Sequence, residues 1–325
     1  QWQERLNFLP KENIFSVSIR NSFGIFSAQK IAKIIREKQI EKVHAHVARD
    51  YFPTSLACRI AKTAQFFLTR HSLSPMKTFY RFALTNLAKS IALSEKMKSD
   101  VERVFPKEKV VFIADGIDLP EISPESRQKM RESFRFENEI PFDSLFIGTI
   151  GELKEENGQR DFVLAAQIVA EKFPDSYFTV IGEDTTASKS FRRELKRMVK
   201  VFGLEKRFLW LNWVEDLTAF LNSLDVLVSP AQTKKFSWTI LEAMANQIAI
   251  VTTDIETVEE MLKDNEMGLI VPIKEPVKLA DAISRILSDE DLRIKFGEKA
   301  KINVKDNFSL QKMIDETEKV YQSIK

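Results

Sequence analysis

Cysteine is nearly absent from this chain. Cys58 is the only one among 325 residues, which excludes an intramolecular disulfide framework and points to a reducing compartment. Glycine and proline are also scarce, at 9 and 11 residues, so long disordered linkers are not expected. Three histidines and one cysteine leave little material for a metal site. His44 and His46 share a face if they lie on a strand, but no carboxylate or thiolate completes a ligand set. No apolar run approaches the length of a transmembrane helix, and no signal-peptide pattern opens the sequence as given. An excess of one charge is missing as well. Lys+Arg number 49 against 47 Asp+Glu, and a net +2 gives no motive for a nucleic-acid partner.

What remains is apolar. Hydrophobic residues make up 44% of the chain and phenylalanine alone accounts for 25 positions, enough for large cores. The length favours two domains. In the first part, strands are expected over 13–19, 42–45, 65–69, 90–93 and 110–113, alternating with helices over 27–38, 51–62, 76–88 and 96–104. Such alternation argues for a parallel α/β layer. Residues 121–143 turn to Pro, Ser, Glu and Arg with a short charged helix near 125–134, and read as a link between domains. A second layer follows. Its strands are expected over 144–150, 177–181, 208–210, 224–228, 249–253 and 268–271. Its helices are expected over 161–172, 191–202, 217–223, 238–245, 258–263 and 278–288, with two more near 291–306 and 309–324.

Residues 229–253 read as a strand end, a polar loop, a short helix and another strand. Ser237 is placed to cap that helix with its hydroxyl. A helix N-terminus at the carboxyl end of a parallel strand suits a phosphate. Glu242, about one turn in, could reach a sugar hydroxyl. Loops at the carboxyl ends of strands hold ligands in open α/β sheets. Here those loops carry His46, His71, Ser94, Asp115 with Gly116, residues 151–158, residues 182–184 and residues 232–237.

The ordered segments VHAH, TRH, ALSE, DGID, GTIGELKEENG, VIGED, DVLVSP, FSWTILEAMA, GLIVP and FSL resemble a retaining glycosyltransferase of GT-B family 4, from about Glu12 to the end. The resemblance implies two Rossmann-like domains facing across a cleft: residues 1–120 on the acceptor side, a linker over 121–143, a nucleotide-sugar domain over 144–307, and a last helix, 308–325, returning to the first domain. It implies transfer of a sugar from a UDP- or GDP-linked donor to a saccharide or lipid acceptor, with retention, in cell-surface glycan or lipopolysaccharide assembly. No metal or other cofactor is implied. A cytoplasmic location at the inner face of the membrane goes with it, as does peripheral membrane contact through basic and aromatic surface. Phe66, Phe67, Phe79 and Phe82, with Lys77 and Arg81 between, are the candidates, core packing being the default for most of the rings.

Two departures from the family pattern stand out. The sequence as given starts in what looks like the third or fourth element of the family's N-terminal domain, as a trimmed piece, a fragment or a naturally shortened member would; if the one to three earlier sheet elements are naturally absent, a sheet edge is left to be covered. The donor loop GELKEENG carries Glu152 and Asn157 where the family has Arg and Lys. The acidic pair spaced by eight residues keeps Glu242 but has Lys234 in place of the first acid. A missing preorganised contact to developing charge typically costs about a hundred- to thousandfold in rate. Glu152 and Lys234 could pair with each other, and Lys154, Lys234 or Lys235 could replace the phosphate cation.

The resemblance therefore assigns His71, Lys234 and Glu152 to catalysis. It assigns Gly151, Asn157, Gly158, Ser237, Trp238, Thr239 and Glu242 to the donor, and His46, Asp115 and Gly116 to the acceptor side. Gly116 fits a turn that needs positive φ, and residues 182–184 read as a solvated turn. Two classes stay open, a working transferase and a catalytically impaired GT-B protein that serves as a binding or regulatory partner.

Overall fold

Runs such as Gln65–Arg70 and Ala249–Thr253 are apolar towards both faces of their sheets, and bury nearly every side chain. Strands of that kind belong to parallel sheets covered by helices on both sides. The computed structural model describes residues 6, 8–19, 24–71, 74–233 and 237–324. The chain divides into two units. One reaches to Ala114 and resumes at Met313, and the other is Asp115–Lys312.

The first unit contains α1 (Ile25–Glu37), β1 (Lys42–Ala45), α2 (Tyr51–Ala61), β2 (Gln65–Arg70), α3 (Tyr80–Ala83), β3 (Leu87–Ala92), α4 (Glu95–Glu102) and β4 (Val110–Phe112). Its strands pair in parallel in the order β1-β2-β3-β4. Phe66 and Leu68 point into one core with α1 and α2, while Phe67 meets Ile91, Met97 and Val320 in another. The alternation follows from the period of two along a strand.

The second unit begins with α5 (Pro124–Glu137), β5 (Leu145–Ile150), α6 (Gln159–Lys172), β6 (Ser176–Ile181), α7 (Ser190–Val201) and β7 (Phe208–Leu211). It continues through α8 (Leu217–Ser223), β8 (Val226–Ser229), α9 (Trp238–Ala245), β9 (Ala249–Thr253), β10 (Leu269–Val271), α10 (Pro276–Leu287) and α11 (Glu290–Asn307). The last helix, α12 (Leu310–Gln322), passes from this unit into the first, where Val320 and Tyr321 pack beside Phe67. The sheet order is β10-β9-β8-β5-β6-β7, all parallel. Succession therefore reverses between β5 and β8, and ligands of doubly wound sheets bind at the carboxyl ends of such a switch point. Phe162, Phe178 and Phe208 fill the core under β6, with ring centroids 5.7 to 6.4 Å apart.

Four expected elements take other forms. Residues 14–19 form no strand, because no neighbouring strand among the described residues pairs with them. Of the helix expected over 76–88, only α3 exists. Asn86 is tied to Ser55, with Nδ2 donating to the Ser55 carbonyl at 3.1 Å, and Leu87 already pairs as strand with Phe66. Residues 256–261 make consecutive turns where a helix over 258–263 was expected. The stretch expected as an interdomain link is part of the second unit: α5 packs against α8, and Arg135 on it is fully buried. Its guanidinium donates to the carbonyls of Pro141, Phe142, Ser144 and Ser223 and pairs with Asp225 at 2.9 Å. Arg127, Arg131 and Arg135 recur every four residues, which puts them on one helix face.

Candidate active site

The loop after β5 is shaped by close backbone approaches. A Cβ on Gly158, whose φ is +73°, would stand 1.8 Å from the Pro230 carbonyl oxygen, so the loop after β8 can touch it only if residue 158 is glycine. Gln232 N–H donates to the Glu156 carbonyl at 2.9 Å and its side chain to Asp161 at 2.7 Å. The two loops of the switch point are thereby fastened together. Gly151 donates to Ile181, and a Cβ on Gly182 would lie 1.9 Å from the Gly151 oxygen.

Side chains of this loop serve the loop itself. Asn157 Nδ2 and the buried Gln159 Nε2 donate to the Glu152 carbonyl at 2.7 and 3.0 Å. The Glu152 carboxylate accepts from Thr185 Oγ1 at 2.7 Å and pairs with Lys154 at 2.8 Å. Lys154, a candidate replacement cation for the donor phosphates, is therefore already partnered by an acid, which raises its pKa. Lys234 and Lys235 lie outside the described residues, and with them the expected Glu152–Lys234 pair. Asp184 corrects the reading of residues 182–184 as a solvated turn. It is buried, and its carboxylate accepts from the backbone N–H groups of Thr186 and Arg192 at 3.0 and 3.1 Å. The run of Asp, Thr and Thr ahead of α7 was the available signal, since short acids and hydroxyls before a helix bond backbone N–H groups.

Helix α9 starts at Trp238 with Ser237 as its N-cap residue. Its hydroxyl makes no capping bond, contrary to expectation; the Ser237 carbonyl receives the N–H of Ile240 at 3.1 Å and so begins the helix. Trp238 is half exposed. On the same helix, Glu242 lines a pocket of about 280 Å³ with Gly116, Asp118, Thr218, Trp238 and Leu310. Its carboxyl makes no hydrogen bond or ion pair among the described residues. Burial first, and Asp118 second, push its pKa up. Thr239 lies on the first turn of α9, whose leading N–H groups have no partner within the helix.

Asp115 and Gly116 lead into that pocket. Gly116 does not have the positive φ expected of it. The chain runs extended there because Ile117 bridges in parallel to the segment before α12, donating to Phe308 and accepting from Leu310 at 2.9 Å each. Asp115 is 6% exposed, and its carboxyl has no hydrogen-bonding partner among the described residues. Burial alone raises its pKa to about 6.

In the first unit the fold brings the three histidines together. His46 follows β1 and His71 follows β2, and His46 Nδ1 lies 3.2 Å from His71 Nε2. One of those nitrogens carries the proton they share. His44 stacks on His46 with centroids 4.3 Å apart, and its nitrogens meet Tyr321 Oη at 2.5 Å and Thr69 Oγ1 at 2.8 Å. Burial lowers all three pKa values, that of His44 to about 4, so the cluster is neutral at pH 7. Among the described residues no group of histidine, cysteine or carboxylate side chains is arranged to hold a metal ion.

Comparison with known proteins gives these sites a context. The chain is 29% identical to the lipopolysaccharide core biosynthesis mannosyltransferase LpcC of Rhizobium leguminosarum, over 55% of this chain and 51% of that one. It spans about half the length of the curated relatives it matches. Its fold is that of a glycosyltransferase from Rickettsia africae, with a TM-score of 0.83 at 21% identity over 95% of this chain and 84% of that one. Anabaena Alr3699/HepE, solved in complex with UDP, matches with a TM-score of 0.80 at 16% identity, over 95% of this chain and 85% of that one. These neighbours share the GT-B fold, with a parallel-sheet domain in each half. The model described as Glycosyltransferase Family 4 matches residues 6–121, and that of Glycosyl transferases group 1 matches residues 130–303. The chain belongs to the Glycosyl transferases group 1 family.

Proposed function

We propose that this protein transfers a sugar, with retention, from a UDP- or GDP-linked donor to a saccharide or lipid acceptor in cell-surface glycan or lipopolysaccharide assembly. The observation that carries the reading is Glu242. It is a half-buried carboxylate with no protein partner among the described residues, in a pocket beside the N-terminus of α9. A carboxylate is left unpaired in such a place at a cost, and a ribose with two hydroxyl donors offsets it. The positive end of α9, with the N–H groups of Ser237, Trp238 and Thr239, takes the diphosphate. Gly151 and Gly158 let the backbone of the switch-point loops come close to it.

In this reading the bond between the anomeric carbon and the diphosphate breaks, the acceptor oxygen takes its place on the same face of the sugar, and the acceptor hydroxyl's proton passes to the departing diphosphate. Charge develops on the leaving diphosphate, where the N-terminus of α9 supplies positive potential and no metal is needed; Lys234, which the resemblance assigns to catalysis, lies outside the described residues. Glu152 is held by Lys154 and Thr185, which offsets its own charge within the loop. His71, neutral at pH 7 and paired with His46, keeps the catalytic part the resemblance gives it, while His46, Asp115 and Gly116 keep that of the acceptor side. Support also comes from the UDP in the Anabaena structure and from the stated role of the Rhizobium relative.

The reading places the protein at the cytoplasmic face of a membrane. Phe79 and Phe82 are 50% and 77% exposed beside exposed Lys77 and Arg81, whereas Phe66 and Phe67 are core residues. No described helix is long and apolar enough to cross a bilayer. Sedimentation with anionic liposomes at low salt tests the contact, and absence of binding removes it.

Calorimetry with UDP and GDP tests the donor site. One of them binds saturably, and Glu242→Gln weakens it about tenfold, as expected for one charge-assisted hydrogen bond. Failure of both nucleotides to bind overturns the reading. Binding without transfer or hydrolysis of any nucleotide sugar would instead describe a non-catalytic member of the family.

A further inference from the structure

A second pocket of the same unit lies at the opposite, amino ends of β8 and β9. It has a volume of about 470 Å³, within the range of roughly 300–1,000 Å³ usual for small-molecule sites. Arg127 and Arg131 of α5 and Arg293 of α11 line it, together with apolar Ile122, Ile248 and Ile294. Arg135 lies behind Arg131, and both share the single carboxylate of Asp225.

The four guanidiniums are not equally satisfied. Arg127 is held only by neutral oxygens: Asn222 Oδ1, the Asn246 carbonyl at 2.6 Å and Gln247 Oε1 at 3.0 Å. Among the described residues no carboxylate pairs with it. Its Nε–H and one Nη2 hydrogen donate to nothing there. Partial burial lowers its pKa, and no carboxylate offsets that. Arg293, whose side chain is 18% exposed, has among the described residues only Glu290 as an ionic partner, at 4.0 Å, and Glu290 is itself 76% exposed. A guanidinium fixed in place with spare donors matches phosphate oxygens in a bidentate fork. The isoleucines beside it match an apolar or ring-shaped body.

We propose that this pocket binds a phosphorylated small molecule carrying a ring, with Arg127 and Arg293 on its phosphate. The inference does not rest on the transferase reading, since neither arginine lines the Glu242 pocket, although Asn246, which holds Arg127, also donates to the Glu242 carbonyl at 2.9 Å. Its occupant bridges α5, α11 and the α9–β9 turn, and can report on the donor side only through α9.

Isothermal titration of the whole chain with phenyl phosphate tests it. Saturable binding is expected, at least tenfold weaker in Arg127→Met and in Arg293→Met and unchanged in Glu242→Gln. Arg127 also holds α5 in place, so its variant could lose the fold. Arg293 makes only the one long contact, and its variant then decides. No saturable binding to the native chain overturns the proposal, as does unchanged affinity in Arg293→Met. Loss of binding in Glu242→Gln with both arginine variants unaffected would place the anion in the other pocket and overturn it equally.

Discussion

The two ends of the second sheet treat buried acids in opposite ways. At the amino end, Asp225 receives Arg131 and Arg135 at 2.9 Å each and the Phe146 N–H at 2.8 Å. Near its carboxyl end the half-buried Glu242, and after β4 of the first sheet the buried Asp115, have no hydrogen-bonding partner among the described residues. The first is an acid the fold requires. The others are acids the fold tolerates, and residues retained against stability mark the place where a ligand works. The charge contrast runs the same way, with cations in excess around Asp225 and acids in excess around Glu242.

Breaking the satisfied end costs most. Arg135→Met removes a partner from Asp225 and strands the carbonyls of Pro141, Phe142, Ser144 and Ser223. The loss expected is about 3–5 kcal/mol, as for other broken buried pairs, read from the denaturant midpoint. The unsatisfied acids respond with the other sign. Asp115 has a folded pKa of about 6 against an ordinary value of 3.8, so between those values the native state holds the extra proton and stability falls as pH rises. Asp115→Asn therefore raises stability at pH 7.5, by on the order of 2 kcal/mol, and leaves it unchanged at pH 3.5. Thermal melts at the two pH values check this.

The histidine cluster of the first unit sets a third scale. His44 is depressed from 6.5 to about 4, so the unfolded chain binds the extra proton within that window. Stability is complete above pH 6.5 and drains away as pH falls towards 4, by on the order of 1–2 kcal/mol after allowing for partial exposure. His44→Gln flattens that slope in urea titrations taken across the window.

Most of the fold was readable because buried strands and amphipathic helices alternate with short connections. Residues 42–45, 217–223, 238–245 and 249–253 form elements with the bounds read from sequence. What escaped depends on distant partners. Residues 14–19 look like a strand, but no neighbour pairs with them among the described residues. Leu87 joins a sheet because Phe66 lies beside it, and local periodicity could not show that. Residues 121–143 were read as a link, and only the fold reveals that Arg135 within them is held by the Asp225 carboxylate, 90 residues away. At the candidate site, Glu242 and Trp238 were legible from the motif, and the structure adds that they line one pocket with Gly116. That Glu152 would turn to Lys154 and Thr185 was not legible, because Thr185 follows a different strand.

The most direct test of the account is a pair of measurements on Glu242→Gln. The account predicts a melting temperature equal to or above that of the native chain at pH 7.5, together with an affinity for UDP or GDP about tenfold weaker. A fall in melting temperature with nucleotide affinity unchanged would show that Glu242 is a structural acid like Asp225, and would contradict it.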